Sequence, residues 1–112
     1  VTHELVIYQK MYDLILYAYP IVNRFPKQQR FTLGQQIQNT MLDIQKSIIQ
    51  ANRQKNKAPI LYQIDTDLEK LKFLIRLAKD LGFIDIKKYE HLGKQIAEVG
   101  RLLGGWLRKF SR

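Results

Sequence analysis

The amino-acid sequence predicts an all-α protein built as an up-down-up-down four-helix bundle. Apolar residues recur every three or four positions through four long segments, turn-forming clusters separate those segments, and no segment shows sustained strand alternation. The clusters are Phe25-Pro26, Asn56-Lys57-Ala58-Pro59 and Leu81-Gly82-Phe83-Ile84-Asp85. Four helices of about 20 to 25 residues joined by short connections favour antiparallel neighbours. Each would be roughly 30 to 38 Å long. The 112 residues suffice for one core and not for two, so residues 1–112 are expected to form one bundle domain.

In the first segment, Leu5, Tyr8, Tyr12, Ile15, Tyr19 and Val22 follow the period of one helix face. Pro20 removes a backbone donor and crowds the preceding turn, so a kink or an end to the regular helix is expected there. The same segment carries a second stripe: Ile7, Met11, Leu14, Ala18, Ile21 and Phe25. Two readings stand: a wide core face, or an interface between subunits that would use Ile7, Met11, Leu14 and Ile21. The second helix starts somewhere between Pro26, which suits a first turn, and Thr32, which suits a cap. Its stripe is Gly34, Ile37, Met41, Ile44, Ile48 and Ala51. Pro59 can open the third helix, Leu61, Ile64, Leu68, Leu71, Ile75 and Ala78 form its stripe, and Gly82 can end it. Asp85 caps the fourth, whose stripe runs Tyr89, Leu92, Ile96, Val99, Leu103, Trp106 and Phe110. Further apolar residues off these stripes, Leu42, Ile49, Phe73, Leu74, Leu77, Leu102 and Leu107, favour self-association, for which closed symmetric rings are the usual form.

Apolar residues make up 46% of the chain, enough to support a folded core. Nineteen Lys and Arg against ten Asp and Glu leave a formal charge of +9, which points to an anionic partner. The absence of cysteine excludes a disulfide framework and thiolate metal sites. No stretch has the roughly 18 consecutive apolar residues of a membrane span, and Val1-Thr-His-Glu is not a signal-peptide start. A cytoplasmic protein with no membrane partner is expected, and its recorded start at Val1 suggests a short missing beginning.

Candidates for catalysis are few. Only His3 and His91 could act as bases near neutral pH, and the serines are Ser47, near the middle of the second helix, and Ser111, at the end of the fourth. A di-metal bundle site needs Glu-x-x-His pairs on two helices, and the sequence has none. Adjacent Glu90 and His91 point about 100° apart and suit solvated surface better than shared ligation. Asp65 and Glu69 share a face but fit a solvated helix start. No enzyme activity, catalytic residue, metal or cofactor is expected.

The charge is concentrated in the second half. Residues 51–112 hold fourteen Lys or Arg against seven Asp or Glu, and residues 1–50 five against three. On the fourth helix Lys87, Lys94, Arg101 and Arg108 recur every seven residues, with His91, Glu98, Gly105 and Arg112 between them. This stripe lies opposite the apolar one and must face outward. With one acid among its eight positions, its cations are expected to be unpaired and to attract a polyanion through phosphates, without sequence preference. Four such contacts predict a fall of log K with log salt at a slope of about −3 to −4. On the third helix Lys72, Arg76 and Lys79 follow Asp65 and Glu69 along one face, a second candidate surface that also fits complementation of the helix dipole. Gly34, Gly93, Gly100, Gly104 and Gly105 fall inside helical stretches, where each costs up to about 1 kcal/mol relative to Ala. Close helix approach is the default reading, and an Arg-rich end ordered on contact with a partner is the alternative for Gly104-Gly105.

Three phrases, taken in order, resemble one family. Phe25-Pro26-Lys-Gln-Gln-Arg30-Phe31-Thr32-Leu33-Gly34 joins the first two helices, Leu77-Ala78-Lys79-Asp80-Leu81-Gly82 closes the third, and Gly100-Arg101-Leu102-Leu103-Gly104-Gly105-Trp106-Leu107 closes the fourth. Together they resemble the accessory variability determinant (Avd) proteins of diversity-generating retroelements. The resemblance implies a four-helix bundle in a homopentameric barrel with a basic surface. Such a protein would bind the retroelement's reverse transcriptase and nucleic acid, as template RNA or cDNA, and support mutagenic retrohoming while the polymerase does the chemistry. On that reading Lys87, Lys94, Arg101 and Arg108, then Lys72, Arg76 and Lys79, are the candidate nucleic-acid or reverse-transcriptase contacts. Proteins encoded in intervening sequences of bacterial 23S ribosomal RNA genes have a similar Phe-Pro step and are the alternative, as a ribosomal-RNA-associated bundle or general RNA-binding scaffold. The Arg30-Phe31-Thr32-Leu33-Gly34 phrase and the Gly104-Gly105-Trp106 ending favour Avd.

Overall fold

A computed structural model describes residues 3–110, with the side chains of 5–110. Arg112, Ser111 and the side chain of His3 lie outside what it describes. Four long helices and one short turn make up the fold: α1 (His3–Asn23), α2 (Lys27–Arg30), α3 (Leu33–Arg53), α4 (Ala58–Asp80) and α5 (Ile86–Phe110). The long helices pack in a ring, α1 against α3, α3 against α4, α4 against α5 and α5 back against α1, in a body 43 Å long and about 22 Å across. No strand occurs among the described residues.

The sequence rules account for most helix ends. Pro59 sits in the first turn of α4. Gly82 ends that helix at φ 86°, with Phe83 N–H donating to Ala78 O at 2.8 Å and Gly82 N–H to Lys79 O at 2.9 Å, a Schellman closure. The Lys88 backbone N–H donates to Asp85 Oδ1 at 2.9 Å, which caps α5. Lys57 places its ammonium on the orphan carbonyls of Ala51 and Gln54 at the end of α3. Of the two outcomes open at Pro20, the regular helix does not end there: α1 continues to Asn23. One end differs from expectation. Thr32 occupies the position before α3, but its hydroxyl donates back to Gln29 Oε1 at 3.1 Å and caps nothing.

Between them α2 makes a single turn on the Pro26 carbonyl, which accepts from Gln29 N–H at 2.8 Å and Arg30 N–H at 3.2 Å. This turn tucks Phe25 into the end of the bundle, where its ring lies 5.6 Å from that of Phe83. At Gly34 a Cβ would stand 2.9 Å from Val22 Cγ1 and 3.2 Å from Gln29 O, so only glycine lets α3 start this close to α1 and the turn. The phrase from Phe25 to Gly34 is therefore a folding element.

The stripes of α3, α4 and α5 face inward as their spacing predicts, with Tyr89 and Phe110 at the two ends of α5 half-buried. On α1 the second stripe is the core, and of the first only Val22 is buried with it. Ile7, Met11, Leu14 and Ile21, offered as a subunit interface, are at most 7% exposed and lie in the protomer's own core with Ala18 and Phe25. Leu5, Tyr8, Tyr12 and Leu16 are exposed instead, with Ile15 and Tyr19 half-buried at the flank. The physical reason is polar satisfaction: Tyr8, Tyr12 and Tyr19 keep their phenolic oxygens near water, whereas Ile, Met, Leu and Ala have none to desolvate.

Of Gly34, Gly93, Gly100 and Gly104, the default reading holds for Gly34 alone. A Cβ at Gly93 or Gly100 would meet nothing within 4 Å, and one at Gly104 only the guanidinium of Arg108 at 3.5 Å. Gly34→Ala should therefore destabilise the fold in thermal melts, because stiff Val22 and a backbone carbonyl must give way. Gly93→Ala and Gly100→Ala should each stabilise it by about 0.5–1 kcal/mol. A second test concerns Asp85, whose carboxyl is held below its ordinary value first by the Lys88 backbone N–H and then by the Lys88 ammonium. Its contribution is present above the unfolded carboxyl value of 3.8 and is lost as pH falls through the lower folded value. Asp85→Asn should keep the cap and flatten the melting temperature across that acid window. Asp85→Ala should lower it at neutral pH.

Candidate nucleic-acid and partner interface

The outward face of α5 carries the candidate residues as the spacing requires. Lys87, Lys94, Arg101 and Arg108 are all exposed, about 10.5 Å apart along the helix. Their pairing differs from expectation at one position: Arg101 Nε donates to Glu98 Oε1 at 2.8 Å, so the single acid of the stripe neutralises it. Among the described residues no ion pair engages Lys87, Lys94 or Arg108.

The α4 set is different. Lys72 pairs with Glu69 at 3.0 Å, Lys79 with Asp80 at 2.8 Å, and Arg76 with the same Asp80 at 3.7 Å. The Asp80 carboxyl is held below its usual range, chiefly by the hydrogen bond from Lys79. Lys79 also stands 5.0 Å over the Tyr89 ring. The three cations are on one side of the bundle, and that side is close to charge balance. Exposed pairs of this kind are weak and exchange readily with salt or a competing anion.

Two grooves border these faces. One, of about 400 Å³, runs between α4 and α5, lined by Glu69, Lys72, Phe73, Arg76, Tyr89 and Gly93. Phe73, 63% exposed, stands at its rim. The other, of about 270 Å³, lies between α1 and α5, lined by Lys10, Asp13, His91, Lys94, Gln95 and Glu98. His91 leans on Tyr17 of α1 with ring centroids 4.2 Å apart. Lys10 escaped the sequence reading, because nothing in the spacing of α5 says which face of α1 lies beside it; His91 stood there as a possible base and as a position within the α5 stripe. No group of three or more His, Asp or Glu able to hold a metal occurs among the described residues. Among the described residues no helix is long and apolar enough to cross a membrane.

A third face is apolar. Gln45 Nε2 of α3 donates to Tyr8 O of α1 at 3.3 Å, and Leu42 and Ile49, one turn either side of Gln45, are exposed beside exposed Tyr8, Tyr12 and Leu16.

The fold and these surfaces define a helical bundle whose distinctive chemistry is on its exterior, as a cationic face and an apolar face. A family model described as bAvd-like matches residues 5–110, and the chain belongs to that family of accessory, non-catalytic proteins. No curated protein matches the chain.

Proposed function

We propose that the protein is a non-enzymatic adaptor of a diversity-generating retroelement. It binds the reverse transcriptase and the template RNA or cDNA and supports mutagenic retrohoming, with polymerisation left to the partner. Family membership supports the accessory role. The observation that carries the nucleic-acid half is the row of uncompensated cations, Lys87, Lys94 and Arg108, on one exposed helix face. Repulsion among them raises the free energy of the lone protein and is relieved when phosphates neutralise them. The internally paired α4 set, Lys72, Arg76 and Lys79, is the secondary candidate and suits a protein partner better, since a partner's carboxylates can exchange with Glu69 and Asp80 at little net cost.

The adaptor also assembles with copies of itself, with a pentamer as the form the resemblance implies. The surface for it is the α1/α3 face of Tyr8, Tyr12, Leu16, Leu42 and Ile49, in place of the buried stripe. Aromatic and aliphatic groups crowded on two adjacent helices gain from mutual burial at about 25 cal/mol per Å².

Two experiments test this. A tagged pull-down from the host after nuclease treatment should retain a reverse transcriptase; its absence overturns the polymerase reading. In parallel, the double variant Lys87→Glu, Lys94→Glu should weaken oligonucleotide binding by tenfold or more on the order expected for two lost phosphate contacts, and the wild-type salt slope should be about −2 to −3. Unchanged binding would remove the stripe from the function. For assembly, Tyr12→Glu with Leu16→Glu should reduce the mass measured by light scattering while circular dichroism stays helical, whereas an unchanged mass assigns self-association to another face.

A further inference from the structure

The groove between α1 and α5 gathers basic groups from two helices, and one of its two acids, Glu98, is paired with Arg101. Lys10 comes from α1, His91 and Lys94 from successive turns of α5. Of the two carboxylates in the same groove, Asp13 accepts from Gln9 Nε2 at 2.9 Å and Glu98 accepts from Arg101 at 2.8 Å. Among the described residues neither Lys10 nor Lys94 has an ion-pair partner. His91 is exposed at the groove, its imidazole against the Tyr17 ring. Gln95, one turn beyond it on the same wall, holds a buried side-chain oxygen with no donor.

We propose that Lys10, His91 and Lys94 form a phosphate seat whose third positive charge is supplied by a proton taken up at His91, so that polyanion binding is linked to pH. This rests on the polyanion reading above and adds to it a site, a second helix and a proton. Imidazole is the side chain that ordinarily changes charge between about pH 5 and 8. The titratable and charged groups around it are Lys10, Asp13 and Tyr17 from α1, and Lys87, Lys88, Lys94 and Glu98 on the same side of α5. A phosphate placed between Lys10 and Lys94 brings negative charge beside the imidazole and favours the imidazolium in the bound state. Protonation turns both ring nitrogens into donors. One can meet a phosphate oxygen, and the Tyr17 ring, 4.2 Å away between centroids, stabilises the cation. Because the proton is taken up on binding, affinity rises as pH falls.

The probe is a labelled oligothymidylate, since neither its thymines nor its phosphodiesters titrate in the range used. Its affinity is measured by fluorescence anisotropy at about pH 5.8 and about pH 8.0 at constant ionic strength. The wild-type protein should bind roughly three- to tenfold tighter at the lower pH, as uptake of one proton allows. The slope of log K against log salt should steepen there by about 0.7, the share of one more phosphate contact on a single strand. His91→Gln, a conservative change on an exposed helix face, should abolish both differences, and His3→Gln should leave them intact. Lys10→Gln should weaken binding at both pH values. A pH-independent wild-type affinity, or a gain that survives in His91→Gln, overturns the seat and leaves the polyanion reading standing. No binding at either pH overturns both. Circular dichroism of each variant verifies that the bundle is intact.

Discussion

The exterior of this protein is what remains after four helices have each turned one seam inward. A helix some 21 to 25 residues long buries enough apolar surface to stay ordered only if its seam is continuous, and each of the four meets two neighbours around the same axis. The seam of α1 decides the most. By sinking Ile7, Met11, Leu14, Ala18 and Ile21 it rotates the tyrosine stripe toward α3 and to the surface, and it sets Lys10 and Tyr17 beside α5. A rotation of that helix by one residue position, about 100°, would remove the apolar face and the α1/α5 groove together.

The phrases that mark the family serve this packing. Phe25 plugs the end of the bundle against Phe83, Gly34 allows α3 to begin against Val22, Gly82 closes α4 with a positive φ, and Trp106 lies 1% exposed in the core. None of these four side chains is on the cationic face, while the same phrases also carry Lys79 and Arg101 of the two basic sets.

Charge is distributed on that surface in two modes. On α4 each cation of the candidate set has a carboxylate within 4 Å. On α5, of Lys87, Lys94, Arg101 and Arg108, Arg101 alone is compensated among the described residues. A single chain with a net +9 can in this way present one side to a polyelectrolyte and another to a protein without either competing for the same residues.

The sequence by itself determined the helices and the inward seams of three of them. Periodicity, the Pro59 start, the Gly82 stop and the Asp85 cap are local, fixed by steric and hydrogen-bonding rules that act within one turn. It also determined that Lys87, Lys94, Arg101 and Arg108 share an outward line, because angular spacing along one helix is a property of that helix alone. Tertiary structure decided what depends on two helices at once: which of the two α1 stripes is core, where phenol desolvation tips a balance that periodicity leaves even; that Gly93 and Gly100 face open space, since the distance to a neighbour is not encoded in a helix's own spacing; and that Lys10 joins His91 and Lys94, which are 81 and 84 positions away in the chain and adjacent only because α1 and α5 pack side by side.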